Sequence, residues 1–273
     1  MLKTVVSTAR CASIFQPAEE WGRGALAMIE DGLFERFPFE EIYGLHNMPG
    51  LPVGHFECMS GPIMSAEDNF EIVLTGVGGH AARPHSGNEV LVAACALVTN
   101  LQTIVSRRLN PTEIGVVSVT ELITDGTRNA LPGSARILGD ARSFRPEISA
   151  EIEKQMRVIA QGMALSYNVT AEVNYTREFV PLINDPALTE EAFAAAATVF
   201  PTDNIRLARE PITASEDFAR FLDHVPGCFM FVGNGAQSAP LHNPNYDFND
   251  YGLLFGARLH QAIVHRRLGG TVR

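Results

Sequence analysis

Residues 70–74 read FEIVL, a run in which every second side chain is apolar and falls on one face. This period of two is typical of a half-buried strand. The elements predicted after it are a helix at 88–106, strands at 112–122 and 134–144, a helix at 148–166 and a strand at 169–173. The order β-α-β-β-α-β is that of the split, ferredoxin-like unit. We therefore expect a self-contained domain over residues 66–178.

The sequence on both sides of this domain alternates between strands and helices. The elements predicted there are a strand end at 13–15, a helix at 25–29 that stops at Gly32, strands at 42–46 and 228–232, and helices at 186–199 and 251–267. A strand-helix-strand order favours a parallel sheet. The expected fold class is therefore α/β, with a parallel-sheet domain formed by residues 1–65 and 179–273 and interrupted by the inserted domain.

The composition excludes several classes of partner. A formal charge of -10, from 31 acidic and 21 basic residues, argues against a nucleic-acid surface, because phosphate binding needs clustered Lys and Arg. The longest apolar run, at 90–98, is shorter than a membrane span. Residues 1–12 lack the features of a secretory signal, so we expect a cytoplasmic protein whose partners are small molecules. Four cysteines without paired spacing predict reduced thiols.

Two adjacent carboxylates, Glu19 and Glu20, follow Pro17 at a position where a helix is predicted to begin. Acidic residues favour helix N-termini because of the helix dipole, so the pair has an ordinary structural explanation. The alternative is catalytic: one carboxylate binds a metal ion while its neighbour takes a proton from the attacking water. The two residues alone do not decide between these explanations.

Two histidines are candidate metal ligands. His46 follows a short predicted strand, and α/β sheets bind their ligands at the carboxyl ends of strands. His242 lies in a loop whose backbone is restricted by Pro240 and Pro244. The alternatives are a structural histidine at the strand end and an ordinary histidine in a surface loop. Together with a carboxylate, two imidazoles form a ligand set that suits zinc, manganese or nickel.

Five short motifs carry a family resemblance. They are, in chain order, QPAEE at 16–20, GLH at 44–46, GGHAARPH at 78–85, SEDF at 215–218 and LHNP at 241–244. In these motifs and their order, the chain resembles the M20 metal-dependent amidohydrolases of the hippurate hydrolase and N-acyl-amino-acid deacylase type. The resemblance runs from residue 14 to residue 267 and implies a zinc-peptidase-like catalytic domain with an inserted dimerisation (lid) domain.

The resemblance also assigns roles to the motif residues. It implies that Glu19 is the general base and acid, and that Glu20, His46 and His242 bind the divalent metal. His80 matches a histidine that reaches across a dimer interface to polarise the scissile carbonyl, which implies a homodimer. The alternative for His80 is an exposed histidine in a glycine turn.

Two further residues match positions that hold substrate in the family. Asn129 corresponds to an asparagine of the lid that helps to hold substrate. Arg142 is a candidate partner for the substrate carboxylate, because Arg favours bidentate carboxylate contacts; its alternative is an ordinary charge on a strand surface. His85 and Glu216 lie within the motifs and have only supporting roles in this interpretation.

One family motif, Cys-Gly-His-Asp, supplies the remaining metal ligands and does not occur in this sequence. We therefore expect an incomplete catalytic domain that is truncated on its N-terminal side. The leading hypothesis is a hydrolase that cleaves the amide bond of small N-acyl amino acids. The alternatives are a non-catalytic remnant that dimerises through its lid domain, and a related M20 peptidase.

Overall fold

A computed structural model describes residues 10–269, so both ends of the predicted catalytic domain lie outside the described residues. The strands are β1 (Ile42–Pro49), β2 (Phe56–Cys58), β3 (Gly61–Met64), β4 (Ala66–Thr75), β5 (Gly79–His80), β6 (Gly115–Thr124), β7 (Ala130–Leu131), β8 (Ser134–Ser143), β9 (Thr170–Phe179), β10 (Leu182–Asn184), β11 (Ile205–Leu207) and β12 (Gly227–Gly235). The α-helices are α1 (Gly24–Glu30), α2 (Leu33–Arg36), α3 (Val90–Thr103), α4 (Pro146–Tyr167), α5 (Pro186–Ala196) and α6 (Tyr251–Leu268).

Contacts between residues divide the chain into two compact units. Unit 1 comprises Met1–Ile63, Leu182–Ile212 and Glu216–Arg273. Unit 2 comprises Met64–Pro181 and Thr213–Ser215. Unit 1 is therefore built from segments that lie on both sides of unit 2 in the sequence.

Unit 2 contains a four-stranded antiparallel sheet with the strand order β6-β8-β4-β9. Ile72 of β4 lies opposite Ile137 of β8 and Val173 of β9. Helices α3 and α4 contribute Leu97 and Met156 to the core cluster of this unit, and neither side chain has exposed surface. The strand order and the succession of strands and helices confirm the predicted ferredoxin-like unit.

Helix α3 and the π-helical turn after it, Val90–Arg108, are long and apolar enough to cross a membrane by length and composition alone. However, Val90 and Leu97 have no exposed surface and lie in the core of unit 2. The side chain of Glu89 accepts a hydrogen bond from the backbone N–H of Leu91 at 2.7 Å and caps the helix. The core of a folded unit thus accounts for the apolar character of this helix.

Unit 1 contains a second four-stranded sheet with the order β1-β12-β2-β11. The pairs β1 and β12, and β2 and β11, are parallel, but β2 and β12 are antiparallel. The α/β fold class is confirmed, and the predicted parallel pairing holds for two of the three strand pairs. The sheet is nevertheless mixed, because β2 runs antiparallel to β12. Only residues 50–55 separate β1 from β2. A connection of this length is too short for the crossover that would make β2 parallel to β1. Helices α5 and α6 pack with this sheet around Phe56, Met230 and Leu259.

The strand end predicted at residues 13–15 is also wrong. These residues belong to no strand of the described part of the chain, and Phe15 is 90% exposed. Among the described residues, β1 pairs on one side only, with β12. A short apolar run becomes a strand only when a neighbour pairs with it, so the pattern at 13–15 is not sufficient.

Candidate active site

Glu19 and Glu20 lie on a short 3-10 turn near the tip of a closed loop, residues 17–24, which we call the carboxylate loop. At the base of this loop, a side-chain carbon on Gly24 would overlap the carbonyl oxygen of Pro17. Only glycine fits this close approach of two backbone segments. The closed loop, rather than the N-terminus of a regular α-helix, therefore determines where the two carboxylates lie.

The structure brings Glu20 and His242 together. Nε2 of His242 lies 3.7 Å from a carboxylate oxygen of Glu20, and the two side chains are 72% and 70% exposed. His242 has a φ of 62°, a left-handed backbone conformation that is uncommon for residues other than glycine. Two predicted metal ligands from distant parts of the sequence are thus neighbours and accessible to a ligand.

His46 lies in β1, and its Nδ1 is 2.6 Å from the carbonyl oxygen of Asn47. Because a carbonyl oxygen only accepts hydrogen bonds, Nδ1 carries the proton and Nε2 keeps a lone pair, the form in which imidazole binds a metal. The side chain of Asn47 donates to Asn234 at 3.2 Å and, in a shorter contact, to Tyr246. Tyr246 belongs to the same loop as His242, so these hydrogen bonds connect the end of β1 to that loop.

A carboxylate pair that the sequence interpretation did not place in the site, Glu216 and Asp217, lies beside Glu19. One oxygen from each of the three carboxylates lies within 4.8 Å of the other two. Gln16 donates to Glu216 at 3.5 Å and, in a shorter contact, to Asp217. Asp217 also accepts from the backbone N–H of Ala25 at 2.9 Å. Because the oxygens of Glu216 and Asp217 already accept from protein donors, we interpret this pair as a structural anchor and not as metal ligands.

The environment of the pair shifts its protonation. Burial raises the pKa of Glu216 to about 8, and the nearby charge of Glu19 contributes to the shift. Burial also raises the pKa of Asp217. Hydrogen bonds from the backbone N–H groups of Ala25 and Gly24 act in the opposite direction, but the net shift of this pKa is upward. At neutral pH, Glu216 is therefore mostly protonated and neutral. The sequence signal for this pair was the SEDF motif, in which Glu216 had only a supporting role.

Two of the sequence motifs pack against each other. Gly44 of the GLH motif faces the ring of Phe218 from the SEDF motif, and a side-chain carbon on Gly44 would lie 2.7 Å from that ring. The ring of Phe218 in turn packs against Phe229 of β12, with 5.1 Å between ring centroids. The glycine of the GLH motif is therefore explained by packing, while His46 remains the candidate for chemistry.

His80 and Asn129 lie on adjoining segments of unit 2, where β5 pairs with β7. Nδ1 of His80 accepts from the backbone N–H of Ala82 at 3.1 Å, so Nε2 carries the proton of the neutral ring. The backbone carbonyl of Asn129 accepts from the N–H of Ala81 at 3.0 Å. Both candidate side chains are exposed, and His80 presents a hydrogen-bond donor at Nε2.

Arg142 is bound by protein groups within unit 2. Its Nη1 is 3.0 Å from Glu67 and its Nε is 2.9 Å from Asp140. It also donates to the hydroxyl of Ser215 at 3.3 Å. Arg142 is therefore not a solvated surface charge, and a substrate carboxylate would compete with Glu67 and Asp140 for it. Its role in binding substrate stays a prediction.

Comparison with known proteins places these motifs in a family. Residues 5–266 match the model of Peptidase family M20/M25/M40. The chain is 33% identical to an N-acetyl-L-cysteine deacetylase of Bacillus subtilis, over 88% of this chain and 56% of the relative. It is 31% identical to an N-acetyldiaminopimelate deacetylase of Lactobacillus helveticus, over 93% of this chain and 66% of the relative. The chain therefore spans less than two thirds of the length of these curated relatives.

Solved structures agree with the sequence comparison. A crystal structure from methicillin-resistant Staphylococcus aureus matches with a TM-score of 0.84 at 31% identity, over 93% of this chain and 65% of that one. A dinuclear metal-binding peptidase of the M20 family from Bacillus subtilis matches with a TM-score of 0.79 at 28% identity, over 94% of this chain and 65% of that one. The motifs, the fold and the match over residues 5–266 show that this chain belongs to peptidase family M20/M25/M40.

Proposed function

We propose that this chain acts in the metal-dependent hydrolysis of the amide bond of small N-acyl amino acids. The observation that carries the proposal is the 3.7 Å approach of His242 to Glu20, directly beside Glu19 in the chain. Amide hydrolysis needs such a combination of metal ligands and an adjacent base. Two relatives are named deacetylases of N-acetyl-L-cysteine and N-acetyldiaminopimelate, which supports this substrate class and does not point to hippurate.

The donor types of the three proposed ligands suit a divalent metal, and two of them, Glu20 and His242, are neighbours. Among the described residues, the ligand atoms of Glu20, His46 and His242 do not all lie within 4.8 Å of one another. Glu20, His46 and His242 would hold it, since carboxylate and imidazole are ligands of zinc, manganese and nickel. The hydrogen bond from His46 to the carbonyl of Asn47 leaves Nε2 available for coordination. The dinuclear metal-binding peptidase among the matching structures supports the same kind of cofactor. A bound ion would polarise the substrate carbonyl and lower the pKa of water.

The remaining roles belong to side chains of this chain. Glu19 would take a proton from the attacking water and return it to the leaving amine. His80, from a partner subunit, would donate its Nε2–H to the oxygen of the scissile carbonyl as negative charge develops there. Asn129 would hold the substrate, and Arg142 would pair with its carboxylate.

Two other functions are distinguishable outcomes. A related M20 peptidase would cleave short peptides in preference to N-acetyl amino acids; the matching Bacillus subtilis structure is named a peptidase. A non-catalytic remnant would fold and dimerise without binding a metal. Metal analysis combined with a screen of N-acetyl amino acids and short peptides separates the three.

We expect the chain to bind Zn²⁺, and Glu20→Gln, His46→Ala and His242→Ala each to weaken that binding by at least about tenfold, because each change removes a ligand. Isothermal titration with ZnCl₂ measures the affinity. His265→Ala is the control, since this histidine lies near the end of α6 and outside the proposed ligand set. Variants that bind Zn²⁺ as tightly as the control would show that the ligand assignment is wrong.

We further propose that unit 2 contains the dimerisation (lid) domain predicted over residues 66–178 and forms a homodimer. Among the described residues, β6 pairs with β8 alone, so its other edge is open to a further strand. Leu122 and Ile123 on β6 are 38% and 42% exposed, and Val92 on α3 is 55% exposed. Cys95 of α3 and Leu122 of β6 line one open groove on this surface. An exposed apolar edge of this kind supports an interface between copies.

Ile123→Lys is expected to convert the dimer to a monomer, because a charge on an edge strand opposes pairing with a second edge. Size-exclusion chromatography with light scattering gives the mass in solution. Val158→Lys is the matched control, since Val158 is 57% exposed on α4, a helix that packs against β9 at the other edge of the sheet. A wild-type chain that is monomeric at micromolar concentration, or a dimer that survives Ile123→Lys, contradicts the proposed interface.

A cytoplasmic location is also part of the proposal. Cys58 and Cys228 are buried free thiols in unit 1, and their Sγ atoms lie 3.6 Å apart. Disulfides form and persist in oxidising compartments and are rare in the cytosol. The four cysteines of the chain lack the paired spacing of a disulfide framework, which supports reduced thiols.

A further inference from the structure

One buried carboxylate closes the base of the carboxylate loop. Asp217 is 1% exposed and accepts from the backbone N–H of Ala25 at 2.9 Å, and also from that of Gly24. Its other oxygen accepts from the side chain of Gln16. Because Gln16 precedes the loop and Ala25 follows it, a single carboxylate holds both ends.

The loop needs such an anchor. Ala18 has a φ of 50°, and the left-handed region is unfavourable for alanine. The 3-10 turn Glu19–Trp21 has no side-chain cap and buries none of its residues, so apolar packing of the turn contributes little to its conformation. The contacts at the base of the loop therefore have a large share in fixing it.

The second member of the pair lies against the carboxylate of Glu19. Glu216 is 5% exposed, and one of its oxygens lies within 4.8 Å of oxygens of Glu19 and Asp217. The side chain of Glu216 is itself held by the backbone N–H of Phe218 at 3.2 Å and by Gln16 at 3.5 Å. A fixed, buried group thus limits where the Glu19 carboxylate can go.

We propose that Asp217 and Glu216 are the positioning residues of the general base, an inference that rests on the proposed function because it takes Glu19 as the base. Asp217 fixes the two ends of the carboxylate loop, and Glu216 limits the position of the Glu19 carboxylate. Neither residue contacts substrate or metal in this role. An ordered carboxylate loop holds Glu19, the base, and Glu20, the metal ligand, close to the positions that catalysis needs. Less conformational entropy is then lost when metal and substrate bind, which favours the reaction.

The fluorescence of Trp21 reports the order of the carboxylate loop in the absence of metal and substrate. Trp21 is the only tryptophan of the chain, ends the turn and is 77% exposed, so its fluorescence anisotropy reports the order of the loop. In the metal-free chain, Asp217→Ala should lower this anisotropy and speed hydrogen exchange of the Ala25 amide by at least about tenfold. Asp217→Asn keeps one acceptor oxygen and should restore most of both signals. Asp203→Ala, at an exposed position of unit 1, is the matched control that should change neither.

Titration with ZnCl₂ separates positioning from a general loss of stability. We expect Asp217→Ala to weaken Zn²⁺ binding by about tenfold, the usual effect of removing a group that orients a ligand, and Asp217→Asn to recover it. Gln16→Ala removes the hydrogen bond between Gln16 and Asp217 while leaving Asp217 in place. If Asp217→Ala does not fold, the same measurements on Gln16→Ala test the positioning role. Wild-type values of anisotropy and exchange in Gln16→Ala and Asp217→Ala would overturn the proposal. A wild-type chain that binds no Zn²⁺ counts against the proposed function instead, and the loop measurements then still decide the positioning role.

Discussion

Glu19→Gln is expected to lower kcat for N-acetyl-L-cysteine by about 10²–10⁴ in an enzyme that turns over, while the bound metal stays in place. Glutamine has nearly the same shape as glutamate but takes no proton from water. The hydrolysis step is therefore slowed, while the binding of metal is kept. Steady-state kinetics and metal analysis of the same sample measure both effects. Glu40→Gln, at an exposed position of unit 1, is the control. Loss of metal together with activity in Glu19→Gln would show that Glu19 is a ligand.

The chain assayed alone is expected to turn over at most about a hundredth as fast as a chimera that adds the upstream segment of the Bacillus subtilis deacetylase. A catalytic metal needs about three protein ligands and an oriented set of groups around them, and a shared pair of metals needs more. The proposed set here is Glu20, His46 and His242. The chimera with the upstream segment of the Bacillus subtilis deacetylase, of which this chain spans 56%, should bind the metal more tightly and turn over faster. Robust metal-dependent deacetylation by residues 1–273 alone would overturn this expectation.

The ferredoxin-like unit could be predicted because its pattern is local. In β4, Ile72 and Leu74 have no exposed surface, as the alternation in FEIVL predicts. The direction of β2 could not be predicted in the same way. This strand has three residues, and its orientation depends on its pairing with β12, which is far away in the sequence. Local periodicity carries no information about such a partner.

The same distinction applies to the site. Glu20 and His242 could be chosen because carboxylate and imidazole in family motifs point to metal chemistry, and the structure places them 3.7 Å apart. The contact between Gln16 and Asp217 could not be predicted from the sequence. Both residue types have many structural uses, and only the fold brings these two together. Arg142 lies directly opposite Glu67 in the register of β4 and β8, a pairing that sequence spacing does not reveal.

Glu216→Gln is expected to stabilise the metal-free chain above pH 8 by about 2–4 kcal/mol and to change its stability little below pH 4.5. Burial, and then the charge of Glu19, raise the pKa of Glu216 in the folded chain from 4.5 to about 8. As the pH rises through this window, the unfolded chain loses the proton first, which favours unfolding. Stability from protonated Glu216 is therefore fully present below pH 4.5 and is lost by about pH 8. Glutamine stays neutral and keeps an acceptor for the N–H of Phe218, so it avoids this loss.

Urea unfolding in EDTA at about pH 4.5 and about pH 8.5 measures the difference in free energy, with Glu40→Gln as the control that should match wild type at both. An equal effect of Glu216→Gln at the two pH values would show that Glu216 ionises normally in the folded chain. Three carboxylates within 4.8 Å of one another repel when all are charged, so a proton on Glu216 lets Glu19 and Asp217 stay close. If Glu216→Gln is more stable than wild type at alkaline pH but binds Zn²⁺ more weakly, the acid at this position is retained for the site and not for the stability of the fold.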